Sequence, residues 1–295
     1  MKVEIGFSPC PNDTFIFDAL VNKKIDTRGI DFTARLEDVE TLNRLALEGT
    51  LAITKISYAV LPLVLDEYIV LNSGSALGTG VGPLLIAQDV IPYDEVNNCI
   101  IAIPGEYTTA HMLFNLAYPG AKNKIFMRYD EIENFVSGKN TLRNQNTNSN
   151  DNAHFSLKRA GVIIHENRFT YEKKGLKKIM DLGDFWQEKT GFPIPLGGII
   201  GKRMIGSGLL LTIDGLVRQS IEYAYNNYPE LTDYIRINSQ EMEEDVMRKH
   251  IELYVNNYSI NLGTAGRSAV DQFLQIKQIM EGGNDFALPV FLEQS

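Results

Sequence analysis

Short β-type runs alternate with helical patterns along most of this chain, and that alternation limits what it can fold into more than any other feature. Val3 to Phe7 precedes a helical pattern over Thr14 to Val21, Ile30 to Leu36 precedes Asp38 to Leu47, and Leu51 to Lys55 precedes Ser57 to Leu65. Strand–helix–strand order lets successive strands pair in parallel, so an α/β architecture with mostly parallel strands is expected. The second helix has legible ends. Asp38 can cap it, Val39, Leu42 and Leu45 share an inner face, and Gly49 follows the last turn.

A second block repeats the pattern. Cys99 to Ile103 reads as a strand, Thr108 to Tyr118 as a helix stopped by Pro119-Gly120, and Lys124 to Arg128 and Gly161 to His165 as further strands. Pro193 to Ile200 reads as the chain returning through a second crossing, and helical patterns over Ser207 to Asn227, Ser239 to Asn256 and Thr264 to Met280 complete it. At about 150 residues per domain, the chain has room for two. One early and one late crossing imply a discontinuous first lobe, 1–87 and 199–295, with a second lobe, 88–198, inserted into it. Ligand is then expected in a cleft between domains.

Two stretches interrupt the alternation. Ser73 to Pro83 is glycine-rich, but its spacing is G-x-G-x-G with a strand following, whereas a dinucleotide fingerprint is G-x-G-x-x-G opening a helix. It reads as a flexible connection or bend between domains. Lys139 to Asn152 carries six asparagines and one aliphatic side chain, too little apolar surface to offset its ordering entropy, and reads as a surface loop.

Charge and cysteine content narrow the partners. With 28 basic and 37 acidic residues the net charge is -9, a field that repels nucleic acid and anionic membrane surfaces. A small anionic substrate remains possible, because a few local donors outweigh a weak diffuse field. Cys10 and Cys99 form neither a disulfide framework nor a C-x-x-C pattern. The first residues enter a strand with no basic segment and apolar core of signal-peptide type, and no apolar run approaches membrane-spanning length, so the expectation is a cytoplasmic protein without membrane insertion.

Several turns could carry chemistry. Ser8-Pro9-Cys10-Pro11-Asn12-Asp13-Thr14-Phe15 follows the first strand, at the sheet edge where ligands bind in open parallel sheets; it reads equally as a rigid turn with Asn12 or Asp13 capping a helix that starts near Thr14. Lys55-Ile56-Ser57-Tyr58 holds the same place after the third strand. It reads either as a carboxylate pocket beside a helix N-terminus or as an exposed lysine and an ordinary cap. The same pair of readings applies to Thr108 and Thr109 at the start of the next helix. Among the histidines, His111, His154 and His250 read as structural or solvated. His165 ends the apolar strand Gly161 to Ile164, a placement suited to acid–base work near neutral pH. No histidine or cysteine stands at metal-like spacing from it, so no metal site is expected.

Six colinear blocks, Ser8 to Phe15, Leu36 to Asn43, Thr54 to Tyr58, Gly80 to Pro83, Tyr107 to Ala110 and Ile163 to Thr170, together resemble the 1,4-dihydroxy-6-naphthoate synthases of the futalosine route to menaquinone. The resemblance implies a two-lobed fold of the type II periplasmic-binding-protein kind with a central ligand cleft. It implies a carbon–carbon lyase that converts cyclic dehypoxanthinylfutalosine to 1,4-dihydroxy-6-naphthoate and releases a small dihydroxyketone. His165 takes the place of the proton acceptor, with substrate contacts at Lys55, Ile56, Ser57, Thr109 and Ala110. The asparagine-rich stretch around 139–156 is the departure, since a much shorter connection is expected in the family.

The implied chemistry needs no cofactor. A retro-aldol-like cleavage requires a base to take a proton and donors to hold the developing oxyanion, while aromatisation supplies driving force. Ser57, Thr109 and backbone N–H groups can donate, and Lys55 can offset substrate charge. Two other readings are a chorismate dehydratase of the same pathway and a solute-binding protein for an organic anion. The first is disfavoured by the Ser8 to Asp13 and His165 to Arg168 blocks, the second by the missing export signal.

Overall fold

The computed structural model describes residues 1–139, 158–240, 243–282 and 286–293. His154 and nearly all of the asparagine-rich stretch therefore lie outside the described residues. In chain order the elements are β1 (Lys2–Phe7), α1 (Pro11–Val21), β2 (Asp31–Leu36), α2 (Val39–Leu47), β3 (Ile53–Ser57), β4 (Tyr68–Val70), β5 (Ala76–Gly78) and β6 (Leu84–Ala87). There follow β7 (Ile100–Ile103), α3 (Thr109–Ala117), β8 (Lys124–Phe126), α4 (Ile132–Val136), β9 (Arg159–Ile163), α5 (Asn167–Thr170), β10 (Lys177–Asp181) and α6 (Leu182–Thr190). The chain ends with β11 (Ile194–Lys202), α7 (Ser207–Asn227), α8 (Asp233–Asn238), α9 (Glu244–Tyr254), α10 (Asn257–Ile260) and α11 (Gly263–Glu281).

Two compact units result: Met1–Val81 with Tyr107–Thr109 and Phe192–Ser295, and Gly82–Glu106 with Ala110–Gly191. Each has its own sheet. The first has the order β2-β1-β3-β11-β4 with β5 also paired to β11; the second has the order β10-β6-β9-β7-β8. The division falls at 81/82 and 191/192, where the alternation suggested 87/88 and 198/199. A strand goes whole with the sheet that satisfies its backbone: β6 pairs with β9 and β10, while β11 pairs with β3 from Gly197 onward.

The sheets are mixed, not mostly parallel. β1 runs parallel to β2 and β3, and β7 runs parallel to β8 and β9. β11 is antiparallel to β3, β4 and β5, as is β6 to β9 and β10. The parallel pairs β1–β2 and β7–β8 are each joined by a crossover helix, α1 or α3, whereas the antiparallel pairs join strands far apart in the chain. The helix expected over Ser57 to Leu65 is absent; β3 runs on through Ser57 and only a short 3₁₀ turn forms at Leu61–Leu63. Pro62 explains this, since it has no N–H to give a preceding carbonyl and disfavours the helical backbone at Leu61.

In the first unit α1 is buried from Pro11 through Leu20 and packs against α7, α8 and α9. A helix covered on all sides has no polar face, which is why it shows no amphipathic stripe. Phe7 of β1 stacks on Phe17 at 4.3 Å, and Ser220 of α7 donates to the Ile16 carbonyl at 2.6 Å. The glycine-rich segment is the connection expected between domains, since the units divide within it at 81/82, but its first half is packed into this core and not flexible. Ser73 through Gly78 is buried, Ser75 Oγ lies 2.8 Å from Tyr58 Oη, and a Cβ on Gly74 would sit 2.1 Å from Ile199 Cδ1. In the second unit Ile86, Ile100, Ala102, Ile132, Phe135, Val136 and Ile163 form the centre of the core. Among the described residues no helix is long and apolar enough to cross a membrane.

Candidate functional site

The first βα turn is rigid for a different reason than capping. α1 starts at Pro11, with Cys10 as the extended N-cap residue and no side-chain cap, because proline at the first helical position already has the required φ. Asn12 and Asp13 therefore lie inside the first turn, and their side chains serve elsewhere. The Asp13 carboxylate accepts from Ser8 N at 3.1 Å, Ser8 Oγ at 2.7 Å and Asn12 Nδ2 at 2.9 Å, and forms an ion pair with Lys55 Nζ. Asp13 and Lys55 are 3% and 7% exposed, so neither charge is solvated. Lys55 is thus neither the exposed lysine nor the unpaired cation at a helix end that the sequence allowed; it lies on β3 with its charge already matched. The four donors converging on Asp13 are what makes burying such a pair tolerable.

Ser57 ends β3 opposite Gly197 of β11, and Ile56 lies opposite Gly198. A Cβ on Gly197 would come within 2.5 Å of the Ile56 carbonyl oxygen, so glycine lets β11 close onto this strand end. Ser57 does not cap a helix. Its N–H donates to Asn43 Oδ1 at 2.8 Å, and Asn43 Nδ2 donates to Ser57 Oγ at 3.1 Å and to the Tyr107 carbonyl at 3.2 Å. The Ser57 hydroxyl accepts here and keeps its own proton for another acceptor.

The same helix fixes the Tyr107–Thr109 segment. Glu40 accepts from Tyr107 N at 3.0 Å and pairs with Arg44 at 2.9 Å, and the Arg44 guanidinium lies 5.2 Å from the Tyr107 ring centre. Thr109 Oγ1 donates to the Leu196 carbonyl at 2.8 Å, and the same carbonyl accepts from Tyr58 N at 3.2 Å. Lys55, Ile56, Ser57 and Thr109 thus share the first unit, around the ends of β3 and β11. Thr109 presents its backbone N–H at the start of α3, while its hydroxyl is already committed. Ala110, the next residue, is buried and opens the second unit's share of α3. Burial raises the pKa of the Tyr58 hydroxyl, an effect its hydrogen bond to Ser75 only partly offsets.

His165 stands in the second unit, two residues beyond the end of β9, and its backbone is left-handed with φ 58°. Histidine is among the few non-glycine residues that populate this region. The Tyr129 ring meets the imidazole edge-on, with centroids 4.9 Å apart. The other described histidines are structural. His111 Nδ1 lies 2.8 Å from the Glu106 carbonyl and its Nε2 lies 3.0 Å from Asn115 Nδ2; His250 is wholly buried against Tyr254. Cys10 and Cys99 are buried thiols, and burial raises the pKa of Cys99.

Sequence reasoning did not single out Asn43, and it took Asp13 only as a possible helix cap. Asn43 occurs on the inner face of α2 between buried Leu42 and Ala46, and Asp13 occurs on an otherwise buried helix. A polar side chain on an apolar face was the available signal in both cases.

Comparisons with known proteins bear on the family and the fold. The family described as menaquinone biosynthesis matches over residues 3–278. A Thermus thermophilus protein named 1,4-dihydroxy-6-naphtoate synthase is 42% identical over 268 residues, 91% of each chain. A Streptomyces coelicolor protein of the same name is 37% identical over 275 residues, covering 91% of this chain and 90% of that one. Among solved structures, protein AF1704 from Archaeoglobus fulgidus superposes with TM-score 0.83 at 29% identity, covering 95% of this chain and 98% of its own. A Candida albicans protein described as having the generic periplasmic-binding-protein fold matches with TM-score 0.63 at 13% identity, over 100% and 98% of the two chains, and so speaks to the fold alone.

Proposed function

This chain belongs to the menaquinone biosynthesis family and has a periplasmic-binding-protein-like α/β fold, and from that premise we propose that it is a lyase performing the 1,4-dihydroxy-6-naphthoate synthase reaction. The observation that carries the reading is the pair of relatives bearing that name, at 42% and 37% identity over 91% of this chain. Their names also favour it over the chorismate dehydratase reading.

The substrate in this reading is cyclic dehypoxanthinylfutalosine, a small anion, handled in the cytoplasm without nucleic acid or membrane as partner. His165 takes a hydroxyl proton from the substrate, the adjacent carbon–carbon bond breaks, and its electron pair passes into the ring system that becomes aromatic. The Ser57 hydroxyl and the Thr109 backbone N–H donate to the oxygen that gains charge, and Ile56 and Ala110 supply apolar contact. Lys55 acts as half of a neutral pair. It donates a hydrogen bond while Asp13 holds it in place, and it does not by itself balance a substrate carboxylate.

Incubation of purified protein with cyclic dehypoxanthinylfutalosine, followed by chromatography for 1,4-dihydroxy-6-naphthoate, tests the reading. Product formation at catalytic turnover is the expected result. Tight binding of the compound with no product would move the chain to the solute-binding class that its fold also contains.

A further inference from the structure

We propose that Glu133 and Asn167 are positioning residues for His165, an inference that rests on the reading of His165 as the base. His165 lies outside any regular element and holds a left-handed φ of 58°, so no helix or strand ladder fixes the direction of its ring. The turn that carries it is tied through the residues that follow. Asn167, 7% exposed, donates through Nδ2 to Glu133 Oε2 at 2.8 Å, and Glu133, 2% exposed, pairs through the same oxygen with Lys174. Glu133 is carried by α4, whose Ile132, Phe135 and Val136 share a core with Ile163 of β9.

These contacts close a loop. β9 leads to His165, His165 to Asn167, Asn167 to Glu133, and α4 returns to β9. Every link but the turn is a buried apolar contact or a charge-assisted hydrogen bond, so the conformation of the turn is dictated by its surroundings. Tyr129, just before α4, touches the imidazole ring itself. A second tether follows at once. Arg168 donates to the Gly82 carbonyl and to Asp181 Oδ2 at 2.5 Å, and Asp181 uses its other oxygen to cap α6 at Gly183 N, 2.9 Å away. Consecutive side chains thus pull the turn toward two separate anchors. Glu133, buried on α4, has no role in the reaction otherwise, and holding Asn167 gives it one.

Positioning separates from plain structural support in the kinetics. With Asn167→Ala, the single-turnover rate at saturating substrate is expected to fall roughly ten- to a hundredfold, the cost of a misplaced catalytic group, with KM nearly unchanged. Glu133→Ala is expected to match it, and Glu133→Gln, which keeps an acceptor for Asn167, to recover most of the rate. In a His165→Gln background Asn167→Ala should have no further effect, because its influence passes through the imidazole. Should the alanine variant fail to fold, Asn167→Asp, similar in shape but repelled by Glu133, carries the same expectation. A wild-type rate in Asn167→Ala or Asn167→Asp, an equal loss in the His165→Gln background, or KM rising in step with the loss of rate would overturn the inference. If His165→Gln alone keeps the wild-type rate, the reading of the base fails instead, independently of Asn167.

Discussion

The two units hold their candidate groups by opposite means. In the first, Lys55 and Ser57 lie on β3 and are tied by side chains from other elements, Asp13 of α1 and Asn43 of α2, while Thr109 at the start of α3 donates through its own hydroxyl to the Leu196 carbonyl of β11. In the second, the single candidate base sits on a left-handed turn, and the ties run through the residues after it. Binding groups can be held by ordinary packing, because several of them share the task and each tolerates a small error. A base cannot share it, since proton transfer depends on one atom's position, and a constrained turn offers a direction that regular elements do not.

The strongest way to break this contrast is His165→Gln. Removing a positioned base lowers turnover by roughly two to four orders of magnitude. Because His165 belongs to no element, the melting temperature should stay close to wild type. Single-turnover assays together with thermal melts check both halves, and a large loss of stability would show that the turn is structural. Wild-type activity should also fall in acid as the imidazole protonates, and that limb should be missing from the residual activity of the variant.

Next in size is Asp13→Asn, which leaves the Lys55 ammonium buried without its counter-charge. Breaking one side of a buried pair costs about 3–5 kcal/mol of stability. Denaturant titration measures it. A cost near that of a surface substitution would mean that Lys55 reaches water, and would restore it as a charge available to substrate. Asn43→Ala is milder. It removes one carboxamide that serves Ser57 and the Tyr107 carbonyl, at about 1–3 kcal/mol per group left unpaired. KM should rise about tenfold for each 1.4 kcal/mol of lost binding, with less effect on kcat, whereas a change confined to kcat would assign Asn43 to the chemistry.

The contrast also explains what could be read without coordinates. Strand–helix order and the apolar runs are local, so α2 with its Asp38 cap and α7 over Ser207–Asn227 were legible to the residue. His165 was visible because it ends an apolar strand. The pairing direction of β6 and β11 was not, since antiparallel partners come from residues far along the chain. Nor was the Asp13–Lys55 pair, 42 residues apart in sequence, where a lysine after a strand looks alike whether exposed or buried. The helix expected over Ser57 to Leu65 failed for a simpler reason: Pro62 has no N–H to continue it, and only a 3₁₀ turn forms.

The smallest expected effect concerns a second buried carboxylate in the first unit, Asp214 of α7, which accepts from Ser73 N at 2.8 Å. Burial raises its pKa above the usual carboxylate range, and the hydrogen bonds from Ser73 and Asn72 only partly reverse this. Asp13 meets a lysine, whereas Asp214 is held by dipoles, so the two should respond differently to pH. A raised folded-state pKa means that the folded chain binds the proton more tightly than the unfolded one. The contribution of Asp214 to stability is therefore greatest below the unfolded value near 3.8 and declines as pH rises toward the folded value, above which it is flat. Asp214→Asn keeps an oxygen for Ser73 N and has no charge to desolvate, so it should be at least as stable as wild type at neutral pH. The difference between variant and wild type should shrink as the pH is lowered through that window. Urea titrations from pH 4 to 7 measure it, and a variant less stable than wild type at pH 7 would show that the ionised Asp214, like Asp13, has a cation at hand.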